Sequence, residues 1–296
     1  MRIRATVAAV SGALALSALA VPASQAAQSG AAGGERPSAP DYGFSAQHGA
    51  AAAPKARTNG LTATAKAAAA PVITRTVVNG GKPIVVGTTA TKKVTVAITA
   101  THASGIADAG TLLWIGKNLD DDDAFGFGQN EDKATCKAAN ATTSTCTLTV
   151  TVDPGLLINT DATYWNVGAA VLAKGGTDVQ NDKFTKIRFQ RLSKLTVDAS
   201  PEPVKKGKTL TVTGKLSRAN WETATYKGYA TQTVKLQFRK KDSSTYTDVK
   251  TVNTSSTGTL KTTTTRTTAS GYWRWSFAGT ASTPAVNAIG DYVAVN

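Results

Sequence analysis

Alternating apolar and polar residues, in short runs between turn-forming residues, are the strongest pattern in this 296-residue chain. In Lys93–Thr99, the residues Val94, Val96 and Ile98 fall on one face of an extended strand, and Cys146–Val152 repeats the alternation. A period of two residues is typical of a β-strand with one buried face. Threonine and valine dominate these runs and favour a pleated, half-buried surface. No longer stretch has strong helical periodicity, so the sequence predicts an all-β protein.

Two units of this kind follow one another. The first covers residues 73–192 and includes a long apolar run at Tyr164–Leu172. The second covers residues 193–296 and contains about seven strands in roughly 100 residues, the size of an immunoglobulin-type sandwich. In its most aromatic strand, the alternation places Trp273 and Trp275 in the core. We therefore predict two tandem antiparallel β-sandwiches.

Residues 1–26 have the organisation of a secretory signal peptide. Arg2 and Arg4 form a basic start, Ala5–Val21 is apolar, and small residues follow Pro22. The apolar stretch is short and rich in alanine, which argues against a membrane anchor. The chain also ends without an apolar tail. We therefore expect a secreted, extracellular protein with no membrane span.

Residues 27–72 differ in composition from both units. They are rich in alanine, glycine, serine, threonine and proline, and their large side chains are Tyr42, Phe44 and Leu61. Such a stretch has too little apolar surface to offset the entropy of ordering it. We therefore predict a disordered linker.

Cys136 and Cys146 are the only cysteines of the chain. In an oxidising compartment an even pair is expected to form a disulfide. Their spacing is not C-x-x-C, which disfavours a redox role. Closing a loop of roughly ten residues contributes about 2.5–3 kcal/mol in the chain-entropy model.

Three stretches of the second unit resemble immunoglobulin-like modules of secreted actinobacterial proteins. They read KLTVDASPEPVKKGKTLTVTGKL, VKLQFRKKDSSTYTDVKTVNTSSTG and ASGYWRWSFAG, and the resemblance covers Lys194–Asn296. Residues 73–192 are similar to another β-sandwich module of the same proteins, through ASGI at Ala103–Ile106 and the cysteine hairpin. The resemblance implies a fold and secretion more than an activity. Some of the similar proteins carry calcium-binding labels.

The positive charge of the chain is concentrated in the second unit. The formal net charge is +14, and residues 193–296 carry 15 basic and 6 acidic side chains against 12 and 11 in residues 73–192. Outside a cell, a basic module attracts anionic wall polymers, acidic glycans or nucleic acid in a salt-dependent manner. Lysines also protect strand edges and keep a protein soluble. Two basic clusters lie beside predicted turns: Lys205, Lys206 and Lys208, and Arg239, Lys240 and Lys241.

An aromatic set lies in the loop-like segment Arg218–Ala230. Trp221, Tyr226 and Tyr229, if exposed, provide faces on which sugar rings stack, as bases do. Alternatively they cover the end of the core.

A dense acidic segment predicts calcium binding as an alternative function, because Ca²⁺ is bound by hard oxygen ligands. An EF-hand register starting at Asp121 puts Phe125 and Asp132 at ligand positions five and twelve, and the flanks are strands, so this motif does not match. A solvated acidic loop is the competing interpretation. The candidate ligands are Asp120, Asp121, Asp122, Asp123, Glu131 and Asp132.

Catalytic motifs are not recognisable in the sequence. His102 is the only histidine of the two units, and no G-x-S-x-G, phosphate loop or dinucleotide motif occurs. Two cysteines and two histidines are too few for most zinc, haem or iron–sulfur sites. We therefore predict a non-enzymatic binding or structural protein without a resident cofactor. Its expected partner is an anionic cell-wall polymer or glycan bound by the second unit. Nucleic acid is not expected as a specific partner, and a secreted hydrolase is the lowest-ranked alternative.

Overall fold

The computed structural model describes residues 36–44 and 69–296, and this part of the chain is all-β. The predicted signal peptide, residues 1–26, lies outside the described residues. No helix in the described part is long and apolar enough to cross a membrane. The helical segments there are 3-10 turns at Asn79–Gly81, Pro154–Leu156 and Asn159–Asp161.

The first sandwich is built from nine strands. They are β1 (Val72–Val78), β2 (Ile84–Val86), β3 (Lys92–Thr101), β4 (Ile106–Ile115), β5 (Phe125–Gly128), β6 (Thr135–Ala138), β7 (Thr143–Val152), β8 (Tyr164–Ala173) and β9 (Asp178–Arg191). One sheet has the order β1–β3–β7–β6 and the other β2–β9–β8–β4–β5. The pairing is antiparallel except that β2 runs parallel to β9, because the chain switches sheets between β1 and β2.

The second sandwich follows directly after β9. Its strands are β10 (Ser193–Leu195), β11 (Asp198–Ser200), β12 (Leu210–Asn220), β13 (Thr225–Gly228), β14 (Thr233–Lys240), β15 (Thr247–Asn253), β16 (Thr259–Thr264), β17 (Gly271–Phe277), β18 (Val286–Asn287) and β19 (Asp291–Val293). The long strand β12 pairs with β10, β11, β13 and β16. The opposite sheet has the order β15–β14–β17–β18, with β19 also on β17.

Both sandwiches have the strand arrangement of an immunoglobulin domain, with sheets A-B-E and C-F-G facing each other. In the first, β1, β3, β7 and β6 take the places of A, B, E and D, and β4, β8 and β9 those of C, F and G. In the second, β11, β12 and β16 form the A-B-E sheet, and β14, β17 and β19 the C-F-G sheet. The predicted fold class, two tandem immunoglobulin-like sandwiches, is confirmed.

Aromatic residues fill both cores. In the first, the Trp165 ring stacks on Phe189 at 4.2 Å between centroids and on Phe127 at 5.7 Å. In the second, Trp273 and Trp275 are fully buried, as the alternation predicts. Such side chains bury so much surface that they dominate the stability of a sandwich.

The predicted disulfide is confirmed. Cys136 on β6 and Cys146 on β7 are direct partners in the register and are joined by a disulfide. The bridge lies within one sheet, on the hairpin, rather than between the two sheets as in antibody domains.

The two sandwiches pack against each other and share part of a core. Trp221 is 3% exposed, belongs to the first sandwich's apolar cluster, and donates its indole N–H to the Gly87 carbonyl at 2.8 Å. The Arg191 guanidinium donates to the Ala219 carbonyl at 2.6 Å. Burial, with Arg218 nearby, lowers the pKa of Arg191 to about 10. Side chains of the second unit thus complete the core of the first.

Residues 36–44 lie inside the predicted linker, yet they pack on the first sandwich. Tyr42 and Phe44 are each only 7% exposed. Composition predicts disorder here because the segment cannot form a core by itself. In the structure its aromatic side chains are buried against the outer face of the β8–β4 sheet. Residues 27–35 and 45–68 of that linker lie outside the described residues. The apolar side chains beneath the segment are Leu112, Trp114, Ala124 and Ala170.

Candidate functional site

The outer face of the β15–β14–β17–β19 sheet carries arginine and tyrosine side chains. Because Trp273 and Trp275 point into the core, the alternate positions Tyr272 and Arg274 lie on the outer face. Cross-strand pairing places Tyr272 opposite Arg239 on β14 and opposite Tyr292 on β19. The strand register therefore brings together residues that are far apart in the sequence.

These side chains form a row of contacting rings and guanidinium groups, which we call the Arg–Tyr face. The Arg239 guanidinium carbon lies 3.9 Å from the Tyr272 ring centroid, and that of Arg274 lies 3.7 Å from the Tyr246 centroid. The Tyr272 and Tyr292 rings are 5.2 Å apart. Cation–π contacts of this kind attract the guanidinium groups to the ring faces.

A polar network on the same face holds the second arginine in place. Arg274 Nε donates to Gln237 Oε1 at 2.9 Å, and Gln237 Nε2 donates to Asp248 Oδ1 at 2.8 Å. Lys235 Nζ lies 2.7 Å from the other oxygen of Asp248. Hydrogen bonds from Lys235 and Gln237 lower the pKa of Asp248. Asp248 thus pairs with one cation, Lys235, and positions Arg274 through Gln237.

The arginines keep hydrogen-bonding capacity after these contacts. Arg239 donates through one Nη to the Ser243 carbonyl at 2.7 Å, and Arg274 uses its Nε for Gln237. A guanidinium has five N–H donors in a fork that matches carboxylate, phosphate or sulfate oxygens. The Arg–Tyr face can therefore bind anionic groups while its rings present apolar surface.

Both predicted basic clusters lie at one end of the second sandwich. The Lys206 amide donates to the carbonyl of Asn296, and the Lys241 amide donates to the carbonyl of Ser270. The two neighbouring segments are tied together, because Ser270 Oγ accepts the Val295 amide at 2.9 Å. The structure thus places the cluster Lys205, Lys206 and Lys208 at the same end as Arg239, Lys240 and Lys241.

The aromatic set Trp221, Tyr226 and Tyr229 does not form an exposed platform. Trp221 is buried in the core shared by the two sandwiches, so the interpretation as an exposed sugar-binding residue is wrong for it. Tyr226 also packs against the first core, and burial raises its pKa. Tyr229 packs edge-on against Phe277. The sequence-based alternative, that aromatics cover the end of the core, describes them better.

The acidic side chains proposed as calcium ligands have separate partners. Asp121 accepts the Asn118 amide at 3.0 Å, whereas Glu131 accepts the Thr149 amide and hydroxyl at 2.7 and 2.5 Å. Burial opposes ionisation of Glu131, but the hydrogen bonds from Thr149 outweigh it and lower its pKa. Within residues 36–44 and 69–296, no three histidine, cysteine, aspartate or glutamate side chains come together as a metal-binding group. The other candidate ligands are also in no such group among the described residues: Asp120, Asp122, Asp123 and Asp132.

His102 is engaged by its own loop and by the segment that precedes β1. Its ring nitrogens lie 2.8 Å from Ser104 Oγ and 2.8 Å from the Ala69 carbonyl.

A pocket of about 420 Å³ lies apart from His102, at the end of the β8–β4 sheet. It is lined by Trp114, Asn118, Leu119, Asp120, Asn181, Asp182 and Lys183.

The first sandwich is similar in sequence to a family of unknown function (DUF5707). The match covers residues 85–173, from β2 to the end of β8. No curated protein matches this sequence.

The solved structures that match this chain include proteins with immunoglobulin domains. The amphioxus IgVJ-C2 molecule is 10% identical over 71% of this chain and 99% of its own, with a TM-score of 0.25. The ectodomain of mouse nectin-like molecule 4 is 13% identical over 77% and 65%, with a TM-score of 0.23. Red sea bream transglutaminase is 12% identical over 75%, with a TM-score of 0.26, and this chain spans only 31% of its length. The fold assignment rests on the strand order described above.

Proposed function

We propose that this protein is a secreted, non-enzymatic binding or structural protein that contacts an anionic polymer of the extracellular space or cell wall. The Arg–Tyr face of the second sandwich carries the proposal. Its arginines are held by rings and hydrogen bonds at the surface of the unit whose net charge is +9. Acidic sugars suit this face because they combine anionic groups with ring surfaces.

Extracellular location is supported by two features of the chain. Residues 1–26 have the pattern of a secretory signal, and the Cys136–Cys146 disulfide fits an oxidising compartment.

The lysines at one end of the second sandwich extend the positive region beyond the Arg–Tyr face. A polymer lying along the Arg–Tyr face would reach Lys240, the last residue of β14, and Lys241, which follows it.

Cosedimentation with insoluble cell-wall material tests the proposal. We expect the protein to pellet at 50 mM salt and to be released as salt rises towards 500 mM, because charge attraction is screened. Soluble polygalacturonate, an acidic polysaccharide, should compete, whereas dextran, a neutral one, should not. Failure to pellet at low salt would overturn the proposal.

A matched pair of variants localises the contact. Arg239→Ala with Arg274→Ala removes two charges from the Arg–Tyr face, and Lys215→Ala with Lys261→Ala removes two from the opposite sheet. The first pair should weaken binding about tenfold or more, equivalent to about 1.4 kcal/mol, and the second much less. Equal effects would mean that total charge, not this face, attracts the polymer.

A further inference from the structure

Residues 36–44 cross the outer face of the larger sheet of the first sandwich, from β5 to β9. At the β5 end, Arg36 Nη2 lies 2.6 Å from the carboxylate of Asp161. At the β9 end, the Tyr42 hydroxyl donates to Asp182 Oδ1 at 2.6 Å. The segment is thus anchored at both ends by a carboxylate of the sandwich.

The strands beneath the segment leave room for it. A Cβ at Gly168 on β8 would lie 2.6 Å from Tyr42 Cζ, and one at Gly128 on β5 would lie 3.0 Å from Pro40 Cγ. A Cβ at Gly110 on β4 would collide with the Tyr42 carbonyl oxygen. Glycine is unfavourable in a strand interior and often marks close approach of another backbone. Three neighbouring strands with glycine at these positions form a groove shaped for this peptide.

The groove also has fixed chemical requirements at its ends. The Asp161 side chain is 4% exposed and accepts the Ile158 amide at 2.8 Å, and a cation beside it stabilises its ionised form. The Arg36 guanidinium is this cation and also lies 3.8 Å from the Phe125 ring centroid. At the other end, Gln180 donates to Asp182 Oδ1 at 2.8 Å and fixes that carboxylate for the phenol. The site therefore fits an extended peptide with a cation six residues before an aromatic hydroxyl.

The position of the segment in the chain allows it to reach a neighbouring molecule. Twenty-four residues, 45–68, separate it from the first strand region. Fully extended, these residues would span about 80 Å. That is more than twice the length of strand β8, which has ten residues and is about 33 Å long. Every copy of the protein carries both the segment and the groove.

We propose that this groove is a peptide-binding site that accepts residues 36–44 of a second copy of the chain in exchange for its own. Exchange of this kind links molecules through the first sandwich and does not depend on polymer binding by the second. The chain's own segment competes at an effective concentration of order 1 mM, so exchange increases where molecules are crowded.

Single-cysteine variants of the full chain test the exchange. Pro40→Cys labels the segment of one chain and Gly128→Cys the groove of another, and the described residues contain no other free thiol. The two variants are mixed at high concentration with oxidised glutathione, which accepts the two electrons when the disulfide forms. We expect a covalent heterodimer whose mass is the sum of the two chains. The double variant with both cysteines in one chain shows the same bond within a monomer.

Two controls separate groove binding from random oxidation. Asp41→Cys places the thiol on the adjacent residue, which faces away, so Pro40→Cys should give about tenfold more heterodimer, because a disulfide needs Cβ atoms within about 4.5 Å. An excess of the peptide RPSAPDYGF, residues 36–44, should suppress the heterodimer, and the peptide with Tyr42→Ala should not. A mixture that yields no heterodimer above the Asp41→Cys level would show that the segment serves only its own chain and would overturn the proposal.

Discussion

The C-F-G sheets of the two sandwiches have the same strand arrangement, but the side chains on their outer faces differ. In the first, the outer face is apolar, contains glycine, and is covered by residues 36–44. In the second, the outer face consists of the Arg–Tyr face, in which Tyr292 is 40% exposed. The fold is therefore compatible with a covered outer face and with a ligand-binding one. The outward-facing residues of β8 and β17 determine which of the two each sandwich has. A face of Gly, Ala and Leu needs a cover, whereas a face of Tyr and Arg is stable in water and available to a ligand.

The largest expected effect tests whether the two sandwiches are independent. Trp221→Ala removes an indole from the shared core and leaves the Gly87 carbonyl without its donor. We expect a loss of about 3–5 kcal/mol in the free energy of unfolding. Chemical denaturation, followed by the fluorescence of the remaining tryptophans, measures it. Ile289→Ala, at a side chain that is 93% exposed, is the control and should change little. A loss below about 1 kcal/mol for Trp221→Ala would indicate sandwiches that fold separately.

The next prediction concerns the cover of the first sandwich. Arg36→Ala leaves the buried Asp161 carboxylate without its cation, and we expect a loss of about 2 kcal/mol at pH 7. Burial raises the pKa of Asp161, so its penalty on folding grows as the pH rises through the folded-state value and is relieved below the ordinary value of 3.8. The effect of Arg36→Ala should therefore shrink at low pH. The double variant with Asp161→Asn should recover part of the loss at pH 7, and an unchanged loss would contradict this account.

A smaller effect compares one carboxylate from each sandwich. The pKa of Glu131 is lowered by hydrogen bonds from the neutral Thr149, and that of Asp248 mainly by Lys235. The stability from Glu131 is present above its ordinary pKa of 4.5 and is lost as the pH falls through the lowered folded value. We expect Glu131→Gln to cost about 1 kcal/mol at pH 7 and to flatten the acid side of the stability profile. Because Asp248 is exposed, Asp248→Asn should have a smaller effect that disappears in salt.

The fold could be predicted from the sequence further than the sites could. Period-two alternation predicts strands such as β3, β7 and β17, because every second side chain of a strand faces the core. It also predicts that Trp273 and Trp275 are buried. The disulfide follows from two cysteines on one hairpin. Strand pairing is not local, so the stacking of Arg239 on Tyr272 could not be predicted, although both residues alternate with core positions.

The burial of Trp221 and of residues 36–44 could not be predicted for a related reason. Each packs against a surface supplied by a distant part of the chain. One signal was present for the second case. The run Tyr164–Leu172 is apolar at nearly every position, and a strand of this kind is covered on both faces.

The most direct measurement is a calorimetric titration of polygalacturonate into the full-length protein at 50 and 200 mM salt. The wild type and the Lys215→Ala, Lys261→Ala control should bind with similar affinity, which falls as salt rises. The Arg239→Ala, Arg274→Ala variant should bind about tenfold more weakly and with a shallower salt dependence, because fewer charges are engaged. If both double variants bind like the wild type, the Arg–Tyr face does not bind anionic polymer.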